Sequence, residues 1–357
     1  MLHKPDLSRF DPSSAGDPDA SVFGVPCTQD EASLVLLPVP WEATTSYGRG
    51  TARGPATIRD ASPQLDLFDV ELAELGLGQP WMFGLHMLEE SSLVRAWNER
   101  ACARALPIIA AGGVIGDDAE LQSALADVNN LSRELDRWVE HEVEQLLAAG
   151  KLVGVVGGDH SVALGSIAAH AARYPGMGVL HIDAHADLRE AYEGFERSHA
   201  SVLRNAVDRV ESLGTLVQVG IRDLSAEEFA LARSHPKIET FFDHALRREL
   251  ADGVPWSVLC GRMVAALPEQ VYVTFDIDGL DPALCPSTGT PVPGGLSFSE
   301  ACTLLATLVR AGKTIVGFDL VEVAPGSRAG DQWDGNVGAR LLYKLCGVML
   351  ASHGGSD

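Results

Sequence analysis

The chain has no long apolar run, no secretory signal pattern and no paired cysteine motif. No uninterrupted apolar stretch reaches the roughly 18 residues of a transmembrane helix, so no membrane partner is expected. The first residues lack the basic and then apolar order of a signal peptide. The six cysteines are scattered without a C-x-x-C pair, which is typical of reduced, buried thiols. These absences predict a cytoplasmic protein.

Positive charge is also scarce, with 27 Lys and Arg against 49 Asp and Glu and a net charge of −22. Nucleic acids and anionic membrane surfaces attract basic patches, so no nucleic-acid partner is expected. Such an acidic surface keeps a protein in solution and steers cationic substrates inward. The glycine-rich loop 47–56 lacks the Lys-Ser/Thr ending of a phosphate-binding loop, so we interpret it as a loop that lines the mouth of a site.

Strand-like runs alternate with helical segments from about residue 34 to residue 350, which predicts one α/β domain with a parallel sheet. Residues 1–32 are rich in Pro, Ser, Asp and Gly, and we expect an arm that becomes ordered only by packing. The predicted division is therefore an arm at 1–32 and a single domain at 33–357. Ser297 and Glu300 form a predicted capping box, and Ser257 is a predicted helix cap. Strands are predicted at 33–39, 152–156, 178–182, 216–221, 238–242, 271–275 and 314–320.

Acidic and histidine side chains follow three of these strands at the point where each strand ends. In open parallel sheets the carboxyl edge is where ligands bind. Residues i, i+2 and i+4 of a strand share one face, so the three runs each present a row of side chains to that edge. A single Asp-x-His or Asp-x-Asp run is commonly a turn or cap, but three such runs together favour a site. The candidate ligands are His160, Asp183, His185, Asp187, Asp276 and Asp278.

This ligand set matches two divalent cations rather than one. Four carboxylates balance the charge of two such ions, and a like-charge cluster without cations is costly to bury. Binuclear hydrolases hold their ions about 3.5–4 Å apart and lower the pKa of a shared water from 15.7 toward about 7. Oxygen and imidazole ligands without thiolate indicate manganese, nickel, cobalt or iron rather than structural zinc.

Six motifs resemble those of the ureohydrolase family, which comprises arginases, agmatinases, guanidinobutyrases and guanidine hydrolases. The resemblance covers roughly residues 34–350. It implies a three-layer α/β/α fold with a central parallel sheet of about eight strands, and assembly as a homo-hexamer or trimer, possibly with a related chain. The motifs are GGDHS (157–161), DAHADLR (183–189), SHAS (198–201), DIDGLDP (276–282), TGTPVPGG (288–295) and VEVAP (321–325).

The resemblance also implies the roles of individual residues. His199 falls at the family's proton-shuttle histidine, Glu322 at the carboxylate that grips the guanidinium, and Thr290 in a substrate-contacting motif. Asp187 is a ligand with a spare oxygen, so we expect it to carry the proton to the leaving nitrogen. The implied ligands are His160, Asp183, Asp187 and Asp276 for one metal, and Asp183, His185, Asp276 and Asp278 for the other.

The substrate is expected to be a small guanidino compound without an α-carboxylate. The segment 189–201 lacks the Asn-Leu-His-Gly pattern of arginases and is similar to a subgroup that includes nickel-dependent guanidine hydrolases. Guanidine or a simply substituted form, including biguanides, is the leading interpretation, and agmatine or 4-guanidinobutyrate is the alternative. Arg197 replaces an expected aromatic residue, which leaves the size and charge of the substrate end open. Tyr192, Phe195 and Trp333 are candidate pocket walls or core residues.

Two further interpretations keep the fold and change the chemistry. A deacetylase-like amidohydrolase of similar architecture needs one catalytic metal, whereas six candidate ligands are present. A non-catalytic subunit of a mixed assembly tends to lose ligands, and none is lost in this sequence.

Overall fold

A single parallel sheet forms the centre of the molecule. The computed structural model describes residues 2–14, 16–17, 20–328 and 330–357. Its strands are β1 (Leu34–Val39), β2 (Leu85–Met87), β3 (Leu152–Gly157), β4 (Gly178–Ile182), β5 (Leu216–Val219), β6 (Ile238–Phe241), β7 (Gln270–Asp276) and β8 (Thr314–Val321). They lie in the order β2-β1-β3-β8-β7-β4-β5-β6, and every neighbouring pair is parallel.

Eleven α-helices connect and cover these strands within the described ranges. The first six are α1 (Gly54–Ala61), α2 (Val70–Ala73), α3 (Ser92–Ala110), α4 (Ala119–Ala148), α5 (Ala163–Arg173) and α6 (Val202–Arg209). The others are α7 (Ala226–Ser234), α8 (Asp243–Ala251), α9 (Trp256–Ala265), α10 (Phe298–Arg310) and α11 (Trp333–Ser352). None of the described helices combines the length and hydropathy needed to cross a bilayer.

Both faces of the sheet are covered, as the resemblance implied. Strands β1 and β3 are buried at every position, which parallel strands show when helices lie on both faces. One group of helices consists of α1, α9, α10 and α11, and another of α3, α4, α5 and α6. The predicted α/β class with a parallel sheet of about eight strands is therefore confirmed.

The strand order creates a crevice at the middle of the sheet. Strands β3 and β4 follow one another in the chain, yet β8 and β7 lie between them. After β3 the chain skips two positions of the sheet to form β4, β5 and β6. It then returns to form β7 and β8 in the gap between β3 and β4. Such a change of direction separates the loops at the carboxyl ends of the strands and opens a binding crevice there.

Most local predictions agree with the structure, and the differences have local causes. Helix α10 begins after Ser297, and the predicted capping box with Glu300 is present. The prediction of Ser257 as a cap is wrong, because α9 begins at Trp256 and its cap position is Pro255. Strand β2 was not predicted, since its three residues are too few to show a period.

The predicted arm contributes side chains to the core. Phe23 is 1% exposed, and its ring meets that of Tyr343 at a centroid distance of 5.1 Å. The backbone N–H of Phe23 donates to Ser62 Oγ at 2.7 Å. Phe10 packs edge-on against Trp81 at 5.1 Å. The arm thus lies against the body of the same chain, while the division at residue 32 stays a prediction.

Replacement of Phe23 by alanine is expected to destabilise the protein by about 3–5 kcal/mol, the cost of removing a buried aromatic ring. Urea denaturation followed by circular dichroism measures this loss. Ser13→Ala, at an exposed arm position, is the control and should change stability by no more than roughly 0.5 kcal/mol. Equal effects of the two substitutions would show that arm packing does not stabilise the fold.

Candidate metal centre and substrate cavity

The six predicted ligands converge at the carboxyl ends of β3, β4 and β7. His160 opens a short 3-10 turn that follows β3, and Asp183 comes directly after the last residue of β4. Asp276 is the last residue of β7, and Asp278 lies in the turn that follows. The centre of the sheet therefore places all six side chains in the crevice, as expected from the strand-end pattern.

Three carboxylates surround one ring nitrogen of His160. Its Nδ1 lies 3.0 Å from Asp183 Oδ2, 3.0 Å from Asp187 Oδ2 and 3.4 Å from Asp276 Oδ2. A single N–H can serve only one of these oxygens well, because its hydrogen points in one direction. The arrangement therefore presents several anionic donors around a position that suits a cation.

A second group of donors surrounds His185. Its Nδ1 lies 3.2 Å from Asp278 Oδ2 and 3.4 Å from Asp183 Oδ1. The two groups share Asp183, whose two oxygens face different histidines. Asp276 connects to both sides, since its Oδ2 faces His160 and its Oδ1 accepts the backbone N–H of Asp278 at 2.8 Å. A shared carboxylate between two donor groups is what the predicted bridging role of Asp183 requires.

His181 also lies beside the first group, and the sequence analysis missed it. The donor atoms of His160, His181, Asp183 and Asp187 all lie within 4.8 Å of one another, as do those of Asp183, His185 and Asp278. His181 Nε2 is 2.8 Å from Asp183 Oδ2. The spacing of His181, Asp183 and His185 would have revealed this shared face, but His181 lies within an otherwise apolar run and was treated as part of the strand.

Burial and mutual repulsion make this cluster unstable as a set of bare anions. Burial and the charge of Asp183 raise the pKa of Asp187 to about 7. Burial and the charges of Asp278 and Asp183 raise the pKa of Asp276 well above its usual range. Within the described residues, the ion pairs of these four carboxylates involve histidine only. The donor set therefore fits divalent cations, which supply the missing positive charge.

Two of the predicted site residues adopt a backbone conformation that is rare for residues other than glycine. Asp187 has a φ of 52° and Glu322 a φ of 63°. Left-handed conformations of this kind cost about 1–3 kcal/mol and concentrate at functional sites. In this protein they aim two carboxylates at the crevice where β3, β4 and β8 end.

Glu322 lies deep in the site, immediately after β8. Its Oε1 accepts the backbone N–H of His160 at 2.9 Å, and Thr288 Oγ1 donates to its carbonyl at 2.8 Å. Gly289 lies close to the other carboxylate oxygen, since a Cβ atom at this position would be 3.4 Å from Glu322 Oε2. Burial and the charge of Asp159 raise the pKa of Glu322 well above its usual range. A bound cation such as a guanidinium would compensate this charge.

His199 is held in place by Thr44. Its backbone N–H donates to Thr44 Oγ1 at 3.2 Å, and its ring Nδ1 lies 3.1 Å from the same oxygen. The ring also meets Tyr192 edge-on at 5.8 Å. Burial and the neighbouring His185 lower the pKa of His199 to about 4 in the metal-free protein. Its Nε2 has no recorded partner in the described part of the chain.

A cavity of about 180 Å³ opens from the cluster to the surface. Pockets for drug-sized ligands are roughly 300–1,000 Å³, so this one suits a small molecule. Thr290 lies in its wall and donates to Asp278 Oδ2 at 3.3 Å. The lining residues are Ser46, His185, Asp187, Arg189, Tyr192, His199, Ala200, Asp223, Leu224, Glu228 and Thr290.

Of the three aromatic residues that were candidate pocket walls, Tyr192 lines the cavity and the other two lie elsewhere. Phe195 is fully buried in a small core between α3 and α4. Trp333 is 48% exposed, and its ring N–H donates to the carbonyl of Ala283. Arg197 forms an ion pair with Asp136 of α4, so its charge is directed to that helix and not into the cavity.

A crevice at the switch point of a parallel α/β sheet, with clustered carboxylates and imidazoles beside a small cavity, is typical of a metal-dependent hydrolase. The family model described as "Arginase family" matches residues 32–347. The chain therefore belongs to the arginase family, whose members hydrolyse C–N bonds of guanidino compounds, and it is an enzyme of that class.

Individual relatives agree with this assignment. The chain is 34% identical over 328 residues to an N(1)-aminopropylagmatine ureohydrolase of Thermus thermophilus, which covers 92% of this chain and 94% of that protein. It is 38% identical over 296 residues to an agmatinase of Halalkalibacterium halodurans, with 83% and 85% covered. The agmatine ureohydrolase of Thermoplasma volcanium superposes with a TM-score of 0.67 at 25% identity, with 94% and 95% covered.

Proposed function

We propose that the protein hydrolyses a guanidine that carries an amine at its far end, such as agmatine or its aminopropyl derivative, to urea and a polyamine. The names of the relatives described above refer to enzymes that act on such compounds, which favours the agmatinase alternative over free guanidine. Free guanidine has no far end, so it would leave the outer part of the cavity without a role. The single observation that carries the proposal is the negative charge at that outer part.

Among the described residues, Asp187, Arg189 and Glu228 of the cavity lining have an ionic partner, whereas Asp223 has none. Asp187 belongs to the metal cluster. Arg189 Nε lies 3.5 Å from Glu228 Oε2, and the Arg189 guanidinium stacks on Tyr192 at 5.1 Å. Asp223 is exposed, and its carboxylate has no recorded hydrogen bond or ion pair within the described residues. An unpaired carboxylate at the mouth attracts a terminal ammonium and repels a terminal carboxylate.

Asp223 also lies at a suitable place relative to the reacting end. It forms a parallel backbone bridge with His185, a candidate ligand. Chains paired in this way are about 4.8 Å apart, so the backbone of Asp223 is one chain width from that of His185. A short alkyl chain therefore connects a guanidinium at the cluster with an amine at Asp223.

The metal ligands are proposed as the resemblance implied them, with one divalent ion at His160, Asp183, Asp187 and Asp276 and the other at Asp183, His185, Asp276 and Asp278. Manganese and nickel both accept this ligand set. When bound, two such ions supply an activated water as the nucleophile at neutral pH. The proposed trimer or hexamer, with or without a related chain, is a separate prediction.

The chain's own residues would orient the substrate and move the protons. Glu322 Oε2 is the oxygen that remains for the guanidinium N–H groups, because Oε1 is engaged by the backbone of His160. Asp187 lines the cavity, and its Oδ1 has no recorded partner among the described residues, so it can carry a proton to the leaving nitrogen. His199 would exchange that proton with solvent through Nε2, while Thr44 holds the other side of its ring.

Urea release from a panel of guanidines tests the proposed substrate class. Agmatine and N(1)-aminopropylagmatine are expected to give the highest kcat/KM, followed by 4-guanidinobutyrate, free guanidine and arginine. Turnover of guanidine alone would overturn the proposal and favour the guanidine interpretation. Turnover of arginine alone would contradict the argument from the 189–201 segment.

Asp223→Asn is expected to raise KM for agmatine about two- to fivefold with little change in kcat, since a partly exposed ion pair contributes roughly 0.5–1 kcal/mol. The same change should lower KM for 4-guanidinobutyrate, because a repulsive charge is removed. Glu227→Gln is the matched control, an exposed carboxylate on α7 outside the cavity. Equal shifts for both substrates would contradict the assigned role of Asp223.

A further inference from the structure

A row of polar side chains crosses the sheet one layer below the candidate ligands. Thr274 of β7 is in register with Asp319 of β8 on one side and His181 of β4 on the other. His181 is in register with Gln218 of β5, and Gln218 with Thr240 of β6. Four of these five residues are fully buried, and Thr240 is half-buried. Strands buried on both faces are normally apolar, so this polar row departs from the usual composition.

The row lies directly under the metal cluster because side chains two residues apart on a strand share a face. His181 precedes Asp183 by two residues, and Thr274 precedes Asp276 by two. The polar row therefore lies one step below the proposed bridging carboxylates, Asp183 and Asp276, on the same faces of their strands.

Hydrogen bonds in one half of the row determine which ring nitrogen of His181 carries the proton. The Gln218 amide nitrogen donates to the carbonyl of Ala186 at 2.7 Å, and Thr240 Oγ1 donates to Gln218 Oε1 at 2.9 Å. The carbonyl of Ala186 can only accept, so the orientation of the Gln218 amide is determined. Its second N–H then points at His181 Nδ1, which is 3.0 Å away and must accept. The proton of neutral His181 is therefore on Nε2, where it donates to Asp183 Oδ2 at 2.8 Å.

The other half of the row acts in the same way on His160. Thr274 Oγ1 donates its only proton to Asp319 Oδ1 at 2.7 Å. The same oxygen lies 2.8 Å from His160 Nε2, so it accepts from that ring nitrogen. A proton on Nε2 leaves the lone pair of neutral His160 on Nδ1, the atom that faces Asp183, Asp187 and Asp276.

We propose that the polar row of Asp319, Thr274, His181, Gln218 and Thr240 positions the metal centre by fixing the ring orientation of His160 from one side and the carboxylate of Asp183 from the other. These are positioning residues, and the inference rests on the metal centre proposed above. Partners of this kind raise metal affinity because a ligand that is already oriented loses little freedom on binding. Without the row, the His160 ring could turn its N–H toward the ions, and Asp183 would lose the donor that holds Oδ2.

Thr274 offers an isosteric test of the His160 half. Thr274→Val keeps the shape and removes the hydroxyl, whereas Thr274→Ser keeps the hydroxyl. The dissociation constant for Mn²⁺, measured by calorimetry on metal-free protein, is expected to rise about 10- to 100-fold in Thr274→Val and to stay within a few-fold of wild type in Thr274→Ser. Equal Mn²⁺ affinity in all three proteins would overturn the proposal.

Gln218 tests the other half, with a control on the same strand. Gln218→Met removes the amide at similar length and should also weaken Mn²⁺ binding about 10- to 100-fold. Val217→Ala removes buried methyl groups on the opposite face of β5, so it should lower the melting temperature and leave Mn²⁺ affinity unchanged. If Val217→Ala weakened Mn²⁺ binding as much as Gln218→Met, the effect would come from general destabilisation and the proposal would fail.

A measurement on the wild-type protein covers the case in which the variants do not fold. In metal-free protein, a long-range proton–nitrogen NMR spectrum of the histidine rings should show His181 with its proton on Nε2 and none on Nδ1. A proton on Nδ1 would overturn the proposal. Failure of wild-type protein to bind either Mn²⁺ or Ni²⁺ would instead overturn the metal centre itself, which separates the two proposals.

Discussion

Protein treated with a chelator and freed of divalent ions is expected to release no measurable urea and to regain full activity on addition of Mn²⁺ or Ni²⁺. The reason is that two bound ions would supply the activated water that attacks the guanidinium. Elemental analysis of active protein should find two ions per chain. Parallel reloading with each metal shows which ion supports turnover.

Metal removal should also lower stability, because the cluster then contains buried like charges without cations. An ion present at 100 times its dissociation constant stabilises the native state by about 2.7 kcal/mol. The melting temperature should therefore rise with metal concentration, and a titration with sodium at equal ionic strength is the control. Full activity with at most one ion per chain would contradict the binuclear site and favour the deacetylase-like interpretation.

Glu322→Gln is expected to reduce kcat/KM by about 30- to 5,000-fold, which corresponds to roughly 2–5 kcal/mol for loss of a buried charged partner. Glutamine is isosteric, and its carbonyl oxygen can still accept the N–H of His160, which Oε1 accepts in the wild-type protein. The substitution thus removes the negative charge that a guanidinium needs and leaves the surrounding backbone in place. Initial rates of urea release from agmatine measure the effect.

The metal content of the Glu322→Gln variant distinguishes two causes of the expected loss of kcat/KM. Two ions per chain, as in wild type, would show that the loss concerns substrate binding. Loss of ions would show that Glu322 supports the cluster and does not grip the guanidinium. Unchanged kcat/KM at full metal content would remove Glu322 from the site altogether.

The candidate ligands were predictable because their positions along the chain are local. Asp183 and Asp276 each follow an apolar strand, and parallel strands bring their carboxyl ends to the same edge. The capping box of Ser297 and Glu300 was predictable for the same reason, since its parts lie three residues apart. The strand ends and this capping box, which needed only a short window of sequence, therefore agree with the structure.

Predictions that depended on distant partners were incomplete. Arg197 was considered as a charge at the substrate end of the site. It instead forms an ion pair with Asp136, which lies far away in the sequence on α4. Asp223 was not singled out, because nothing near it in the sequence shows that it borders the cavity. One local prediction was also wrong. The cap of helix α9 was assigned to Ser257 by residue type, whereas Pro255 occupies the cap position.

By itself, the amino-acid sequence determined the α/β class, the strand ends that carry the candidate ligands and the family to which the chain belongs. Apolar periodicity and motif spacing are properties of neighbouring residues, so they are visible without coordinates. Only the tertiary structure decided which residues support those ligands, because Asp319, Thr274, His181, Gln218 and Thr240 come from five strands and meet only through the register of the sheet. Register depends on how strands far apart in the chain pair, and no local pattern records it.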